Sequence, residues 1–239
     1  MSAETIVFGT DGWRAVIADE FTFENVRKIA EAIGVAGHSM FAPAEIDRRK
    51  LIVGFDRRFL SREFAHETAL VLARSGFEVL LSDRPTPSQT ISFAAFHLKV
   101  LGGVVVTASH NPARYNGIKF KGWYGGSALP GMYQSIESAL GQKREEGGGS
   151  VTEVDILGDY VRALESKLDV TAIQQAKLRI LHDPIYGSAS GIPGEVLGNV
   201  LLESHLRKPE SGGRTTVTTI RGEVNPSFGG VNPEPIPEN

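Results

Sequence analysis

The chain has 239 residues, of which 41% are hydrophobic and 22% are charged, as is typical of a soluble globular protein. Its 25 basic and 28 acidic residues give a formal net charge of -3, a balance that does not favour binding to nucleic acid or to a membrane surface. The absence of cysteine excludes disulfides, thiol catalysis and cysteine-bound metals.

Strand and helix patterns alternate through the first half of the chain. Apolar residues at helical spacing predict four helices, at 22–36, 61–76, 87–98 and 130–140. Short apolar runs predict buried strands at 51–56, 78–82, 103–107 and 116–121. Ser61 is the expected N-cap of the second helix, because its hydroxyl can accept a bond from the first turn. This order predicts an α/β fold, a three-layer α/β/α domain around a mixed, mainly parallel sheet.

A linker is predicted at KREEGGGS (143–150), where a run of charges meets three consecutive glycines. It divides the chain into one domain at 1–146 and a second α/β domain at 151–239. The second half contains predicted helices at 156–168 and 192–204 and predicted strands at 178–183 and 215–220. The final stretch, RGEVNPSFGGVNPEPIPEN, has no periodicity, so we expect the second domain to be incomplete.

Polar residues follow three of these strands and the short apolar run IVF (6–8), which we expect to be a further strand. The clusters are GTDGWR (9–14) after the apolar run IVF, DRR (56–58), DRPTPS (83–88) and ASHNP (108–112). In open α/β sheets, ligands bind beyond the carboxyl ends of the strands, so the clusters predict one ligand-binding rim. Arg14 and Arg58 suit phosphate recognition at this rim, because a guanidinium group can donate two parallel hydrogen bonds. For Arg58 the alternative is a structural ion pair with Asp56.

Ser109 lies two residues beyond the predicted strand at 103–107, where a nucleophile or a phosphate ligand is expected. His110, Asn111 and Lys119 supply hydrogen-bond donors of the kind that an anionic substrate requires. The alternative is an ordinary polar turn, because Ser, Asn and Pro are common loop residues.

Several other kinds of site lack a sequence signature. There is no dinucleotide fingerprint, no GxxxxGK[ST] loop and no histidine spacing typical of a metal site. There is also no Asp-x-Asp, so the chain offers no evident acidic cage for Mg²⁺. The N-terminus is not a signal peptide, and no apolar run approaches the ~20 residues of a membrane-spanning helix. We therefore expect a cytoplasmic protein that binds neither nucleic acid nor membranes.

Several segments resemble motifs of the α-D-phosphohexomutase superfamily, and of its phosphoglucomutase/phosphomannomutase group in particular. In the first half they are FGTDGWR (8–14), VGFDRRFLS (53–61), and TASHNP (107–112) followed by NGIKF (116–120). In the second half, LHDPIYGSASG (181–191) and NPSFGGVNPEPIPEN (225–239) resemble parts of that family's second domain. The resemblance extends over essentially the whole chain.

The resemblance implies a phosphoserine enzyme that moves phosphate between C1 and C6 of a hexose through a bisphosphate intermediate. Ser109 would carry the phosphoryl group and, through it, contact Mg²⁺. Lys119 would act in proton transfer and charge stabilisation, and Arg14 would lie near the phosphoserine. His110 would be a polar contact rather than the base of its neighbour.

The same resemblance implies a set of binding partners. Thr10, Asn111 and Arg58 would bind phosphate. The substrates would be glucose or mannose 1- and 6-phosphates, with a glucose 1,6-bisphosphate-type activator. The remaining Mg²⁺ ligands, in a DGDxDR loop, and the family's third and fourth domains would lie beyond residue 239.

We therefore expect this chain to be an N-terminal segment that is inactive as a mutase by itself. The alternative is a non-catalytic module of the same fold that binds sugar phosphates or a protein partner, and a third possibility is a purely structural role. The choice among glucose, mannose and glucosamine phosphates stays open, because the residues that would recognise the sugar are not in this chain.

Overall fold

The computed structural model describes residues 6–142, 147–197 and 215–236. A six-stranded sheet is built from β1 (Trp13–Val16), β2 (Asp47–Phe55), β3 (Glu78–Ser82), β4 (Val100–Val106), β5 (Tyr115–Gly122) and β6 (Ser150–Val154). The strands lie in the order β1-β5-β4-β2-β3-β6. β2 pairs in parallel with β3 and β4, and β3 pairs in parallel with β6. β5 is antiparallel to both of its neighbours, so the sheet is mixed and mainly parallel, as predicted.

Helices cover both faces of this sheet. They are α1 (Phe23–Ser39), α2 (Ser61–Arg74), α3 (Ser88–His97), α4 (Pro130–Ser138) and α5 (Ile156–Glu165). α1, α2 and α4 pack on one face, and α3 and α5 on the other. Successive residues of a strand point to opposite faces, so Leu51 and Val53 enter the first core while Ile52 enters the second. The predicted three-layer α/β/α fold is confirmed.

The start of α2 differs from the prediction. Its N-cap is Leu60, which has a left-handed backbone and makes no side-chain cap bond, and Ser61 is the first helical residue. The Ser61 hydroxyl donates instead to Asp56 Oδ1 at 2.7 Å. The prediction of Ser61 as N-cap is therefore wrong, because the carboxylate at the end of β2 takes the hydroxyl.

The remaining described residues form α6 (Val170–Gln175), β7 (Arg179–His182), α7 (Ile192–Val196), β8 (Thr216–Thr219) and a 3₁₀ turn (Phe228–Gly230). β7 and β8 pair in parallel as a two-stranded sheet. The helix predicted at 192–204 begins as expected, but residues 198–204 lie outside the described part of the chain. In the described residues, no helix has the length and apolar character needed to cross a membrane.

The division into domains at 1–146 and 151–239 stays a prediction. Residues 143–146 of the predicted linker lie outside the described residues. β6 pairs with β3, so the six-stranded sheet extends to Val154, past the predicted start of the second domain. α5 likewise contacts α3 of the first half.

Gly102 of β4 gives a test of how closely β4 and β5 are packed. A Cβ at this position would lie 2.4 Å from the carbonyl oxygen of Lys121 and 2.8 Å from Cζ of Phe120. We expect Gly102→Ala to destabilise the protein by about 1–3 kcal/mol, because β5 must move to accept the methyl group. Urea unfolding measures the difference. Gly131→Ala is the matched control, since nothing lies within 4 Å of its Cβ position, and equal stability of the two variants would contradict the prediction.

Candidate active site

The serine loop, residues 107–115, joins β4 to β5 and carries the exposed side chain of Ser109. Ser109 has a φ of 58°, in the left-handed region that residues other than glycine seldom adopt. Its amide donates to Thr107 Oγ1 at 2.9 Å, and the Asn111 amide donates to the Ala108 carbonyl at 3.1 Å. A strained backbone of this kind persists only where its surroundings hold it.

Arg58, which follows β2, holds the serine loop through what we call the Arg58 clamp. Nη2 donates to the carbonyls of Ser109 at 2.8 Å and Asn111 at 2.6 Å. Nη1 donates to the carbonyls of Pro112 at 2.9 Å and Tyr115 at 3.0 Å. The side chain is fully buried and its terminal N–H groups already have acceptors, so this geometry speaks against the predicted phosphate contact of Arg58.

Asp56 provides the counter-charge for the buried guanidinium group of the clamp. This is the structural ion pair that was given above as the alternative for Arg58. Its Oδ2 lies 3.2 Å from Arg58 Nε and accepts the Thr107 hydroxyl at 2.6 Å. Its Oδ1 accepts the Ser61 hydroxyl and, at 3.0 Å, the Arg58 amide. Burial lowers the pKa of Arg58, while the charge of Asp56 opposes that change. The bond to Thr107 was not predicted, since 51 residues separate the two in the chain.

Arg14 lies on β1, which is next to β5 in the sheet. It therefore reaches the serine loop from the side opposite to Arg58, which follows β2. Its Nη1 donates to Asn111 Oδ1 at 2.8 Å. The polar cluster 9–14 does not follow a strand as predicted, because residues 6–8 are irregular and Arg14 lies within β1. Thr10 is exposed in the turn that the bond from Gly9 N to the Gly12 carbonyl closes. The predicted phosphate contacts of Thr10 and Asn111 stay predictions.

Lys119 is buried on β5, where its Nζ donates to Asp11 Oδ2 at 2.6 Å. Asp11 Oδ1 accepts the Ser127 hydroxyl at 3.0 Å and lies 3.4 Å from Lys121 Nζ. Burial lowers the pKa of Lys119; the hydrogen bond and charge of Asp11 oppose this, and the charges of Arg14 and Lys121 add to it. Proton loss from Lys119 is therefore easier than from a lysine in water.

Asp11 is a site residue that the sequence analysis missed. Burial acts to raise its pKa, but the hydrogen bond and charge of Lys119, together with Lys121 and Ser127, outweigh it and hold the pKa below its usual value. The available signal was the spacing of Lys119 and Lys121, two residues apart in an apolar strand. Both then lie on one face, and buried lysines need an acidic partner.

His110 is exposed beside Ser109, with its Nδ1 3.4 Å from Ser109 Oγ. This separation exceeds that of a normal hydrogen bond to a hydroxyl. The arrangement fits the predicted role of a polar contact better than that of a base.

The connected side chains have an excess of positive charge. They comprise four cations, Arg14, Arg58, Lys119 and Lys121, and two acids, Asp11 and Asp56. Such a site favours an anion next to Ser109. The predicted rim is smaller than expected, because Arg84 of the 83–88 cluster donates to Asp155 at 2.7 Å instead.

A metal ion has few ligands in this part of the chain. The described residues contain no group of three or more His, Asp or Glu side chains that could hold one. Asp11 and Asp56 are both paired with cations. The residues that the structure describes therefore do not form a Mg²⁺ site by themselves.

Comparison with known proteins assigns the chain to a family. The family model described as phosphoglucomutase/phosphomannomutase, alpha/beta/alpha domain I, matches residues 5–147, more than half of the chain. The chain belongs to this family. A phosphoglucomutase of Staphylococcus saprophyticus is 28% identical over 246 residues, covering 92% of this chain and 43% of the relative. A phosphoglucomutase/phosphomannomutase of Thermococcus kodakarensis is 29% identical, covering 98% of this chain and 48% of the relative.

A solved structure supports the same phosphoglucomutase/phosphomannomutase fold. The crystal structure of a Thermus thermophilus protein assigned as a phosphomannomutase is 37% identical, with a TM-score of 0.83, and covers 100% of this chain and 50% of its own. The chain thus spans about half the length of the curated relatives it matches.

The pair of Asp11 and Lys119 gives a test of the electrostatics of the site. We expect Asp11→Asn to lower the pKa of Lys119 further, because the carboxylate that stabilises its charged form is removed. An NMR titration that follows Lys119 Cε measures the change. Asp159→Asn removes the ion pair with Arg162 elsewhere on the surface and serves as control. An unchanged or raised Lys119 pKa in Asp11→Asn would contradict the assignment.

Proposed function

We propose that this chain is the serine-bearing part of a phosphohexomutase. The observation that carries the proposal is the exposed Ser109, held in a left-handed conformation beyond the carboxyl end of β4, in a loop that Arg58 and Arg14 contact. Membership of the phosphoglucomutase/phosphomannomutase family supports it. The substrates are hexose phosphates, with glucose and mannose 1- and 6-phosphates as the first candidates, and the remaining mutase domains complete the site.

In the first half of the proposed reaction, a hydroxyl of the hexose monophosphate attacks phosphorus on phosphorylated Ser109. The new O–P bond forms as the bond to Oγ breaks, and the hydroxyl proton passes through Lys119, whose pKa burial lowers, to the leaving Oγ. In the second half, Oγ attacks the other phosphoryl group of the bisphosphate, and the Ser109 hydroxyl proton passes through Lys119 to the sugar oxygen that leaves. The net result moves phosphate between C1 and C6.

Phosphoryl transfer depends on positioning and on neutralising charge more than on covalent chemistry. Arg14, oriented by its bond to Asn111, would neutralise the transferred phosphoryl oxygens. The left-handed backbone of Ser109 directs its hydroxyl outward from the sheet edge. The arrangement is therefore preorganised before the substrate arrives.

The proposed site includes Mg²⁺. When bound, it would neutralise charge on the phosphoryl group of Ser109. The described residues do not supply its other ligands, so no step is assigned through it. A glucose 1,6-bisphosphate-type activator would supply the phosphoryl group to an unmodified Ser109. The cytoplasmic location also stays a prediction.

Ser109→Ala tests the proposed nucleophile in the longest native chain that contains these residues. We expect conversion of glucose 1-phosphate to glucose 6-phosphate to fall by about a thousandfold or more, because no group remains to carry the phosphoryl group. A coupled assay with Mg²⁺ and glucose 1,6-bisphosphate measures the rate. Ser135→Ala, an exposed position on α4, is the control. Normal turnover by Ser109→Ala would refute the proposal.

The 239-residue chain by itself should show no appreciable mutase activity in the same assay. Missing metal ligands remove several kcal/mol of charge stabilisation, and each ~1.36 kcal/mol changes the rate about tenfold. Turnover near the rate of the longer chain would contradict this expectation.

A further inference from the structure

Phe228 lies over the guanidinium group of Arg58, with Arg58 Cζ 4.9 Å from the centre of the ring. It belongs to the capping segment, residues 221–228, which follows β8 in the second half of the chain. The other residues of this segment are exposed or half-buried, whereas Phe228 is 4% exposed. An aromatic ring over a desolvated guanidinium is attracted to its charge and excludes water from it.

A second contact attaches the capping segment next to the clamp. Arg57 Nη1 donates to the Gly222 carbonyl at 2.7 Å, so consecutive residues after β2 both contact this segment. Ser190 Oγ donates to the same carbonyl, also at 2.7 Å. Arg221 forms an ion pair with Asp183 at the end of β7. The segment is thus attached to the second half at its start and to the clamp at its end.

The backbone at Phe228 is itself unusual. Its φ of 52° is in the left-handed region, which is costly for a bulky residue. Gly229 and Gly230 continue with positive φ, so the chain turns sharply just after the ring. Strain of this kind needs compensation from contacts, and it motivates a functional hypothesis for the ring.

We propose that Phe228 is a positioning residue for Ser109 and that it acts through the Arg58 clamp. The ring fixes the plane of the guanidinium group, and that plane determines whether Nη1 and Nη2 reach the carbonyls of the serine loop together. Removing the ring admits water, which competes for these N–H groups and loosens the loop. The role of Phe228 in catalysis rests on the proposed function, whereas its effect on the conformation of the serine loop does not.

Hydrogen–deuterium exchange of the 239-residue chain tests this coupling directly. The reporters are hydrogen-bonded amides of the serine loop, those of Thr107, Ser109, Asn111 and Tyr115. We expect Phe228→Leu to speed exchange in peptides covering 107–115 by about fivefold to thirtyfold, as expected for loss of a desolvated cation–π contact. Phe228→Tyr keeps an aromatic ring, so exchange in the same peptides should stay as slow as in the wild type.

A matched control separates this effect from general destabilisation. Phe93→Leu removes another aromatic ring, one that contacts His97 and Tyr160, and should leave exchange in the serine loop unchanged. Wild-type exchange in the serine loop of Phe228→Leu would overturn the proposal. An increase in exchange of the same size throughout the six-stranded sheet would also overturn the proposal, because it would indicate general destabilisation.

Kinetics of the longest native chain give the second readout. Phe228→Leu should lower kcat with little change in KM, because the nucleophile is displaced while substrate binding elsewhere is intact, and Phe228→Tyr should restore kcat. A raised KM with unchanged kcat would contradict a positioning role. If the wild-type form of the longest native chain shows no mutase activity, the proposed function fails, while the exchange experiment still decides whether Phe228 holds the loop.

Discussion

A buried guanidinium group requires an acceptor for each of its N–H groups, and the serine loop supplies them for the terminal nitrogens of Arg58. The loop therefore turns its carbonyls inward, and this leaves the Ser109 side chain outside. The charge also requires a counterion, which Asp56 provides. Because Asp56 binds Thr107 and Ser61 as well, one carboxylate ties the ends of β2 and β4 to the start of α2.

Arg58 holds the serine loop, whereas Lys119 is buried on β5 and pairs with Asp11. The environment of Lys119 therefore depends on how closely Asp11 approaches. Gly12 permits this approach: its φ is 102°, and a Cβ would lie 2.5 Å from the Ile118 carbonyl oxygen. A side chain at residue 12 would push the turn at residues 9–12 away from β5. The turn thus affects proton affinity at Lys119 through the distance between the Asp11 carboxylate and the Lys119 ammonium group.

The sequence predicted the buried strands well, because continuous apolar runs such as 51–56 are local signals. The role of Ser109 stays a prediction. The prediction of strands failed at the sheet edges: β1 was expected at residues 6–8, and 150–154 was not assigned to a strand. Edge strands are short and partly exposed, so β1 and β6 carry charged and polar residues that mask the pattern. Asp11 was missed for another reason, since 108 residues separate it from Lys119.

The geometry of the serine loop is consequently a property of both halves of the chain. β2 supplies Arg58 at its end, β4 and β5 supply the loop, and the capping segment supplies the ring that covers the guanidinium. A positive charge alone at residue 58 would not hold the serine loop in this arrangement. A lysine carries its donors on one atom and cannot reach carbonyls spread from residue 109 to residue 115, whereas the planar fork of arginine can. The same planarity lets an aromatic ring stack on it, so the choice of arginine at 58 and of phenylalanine at 228 follows from one requirement.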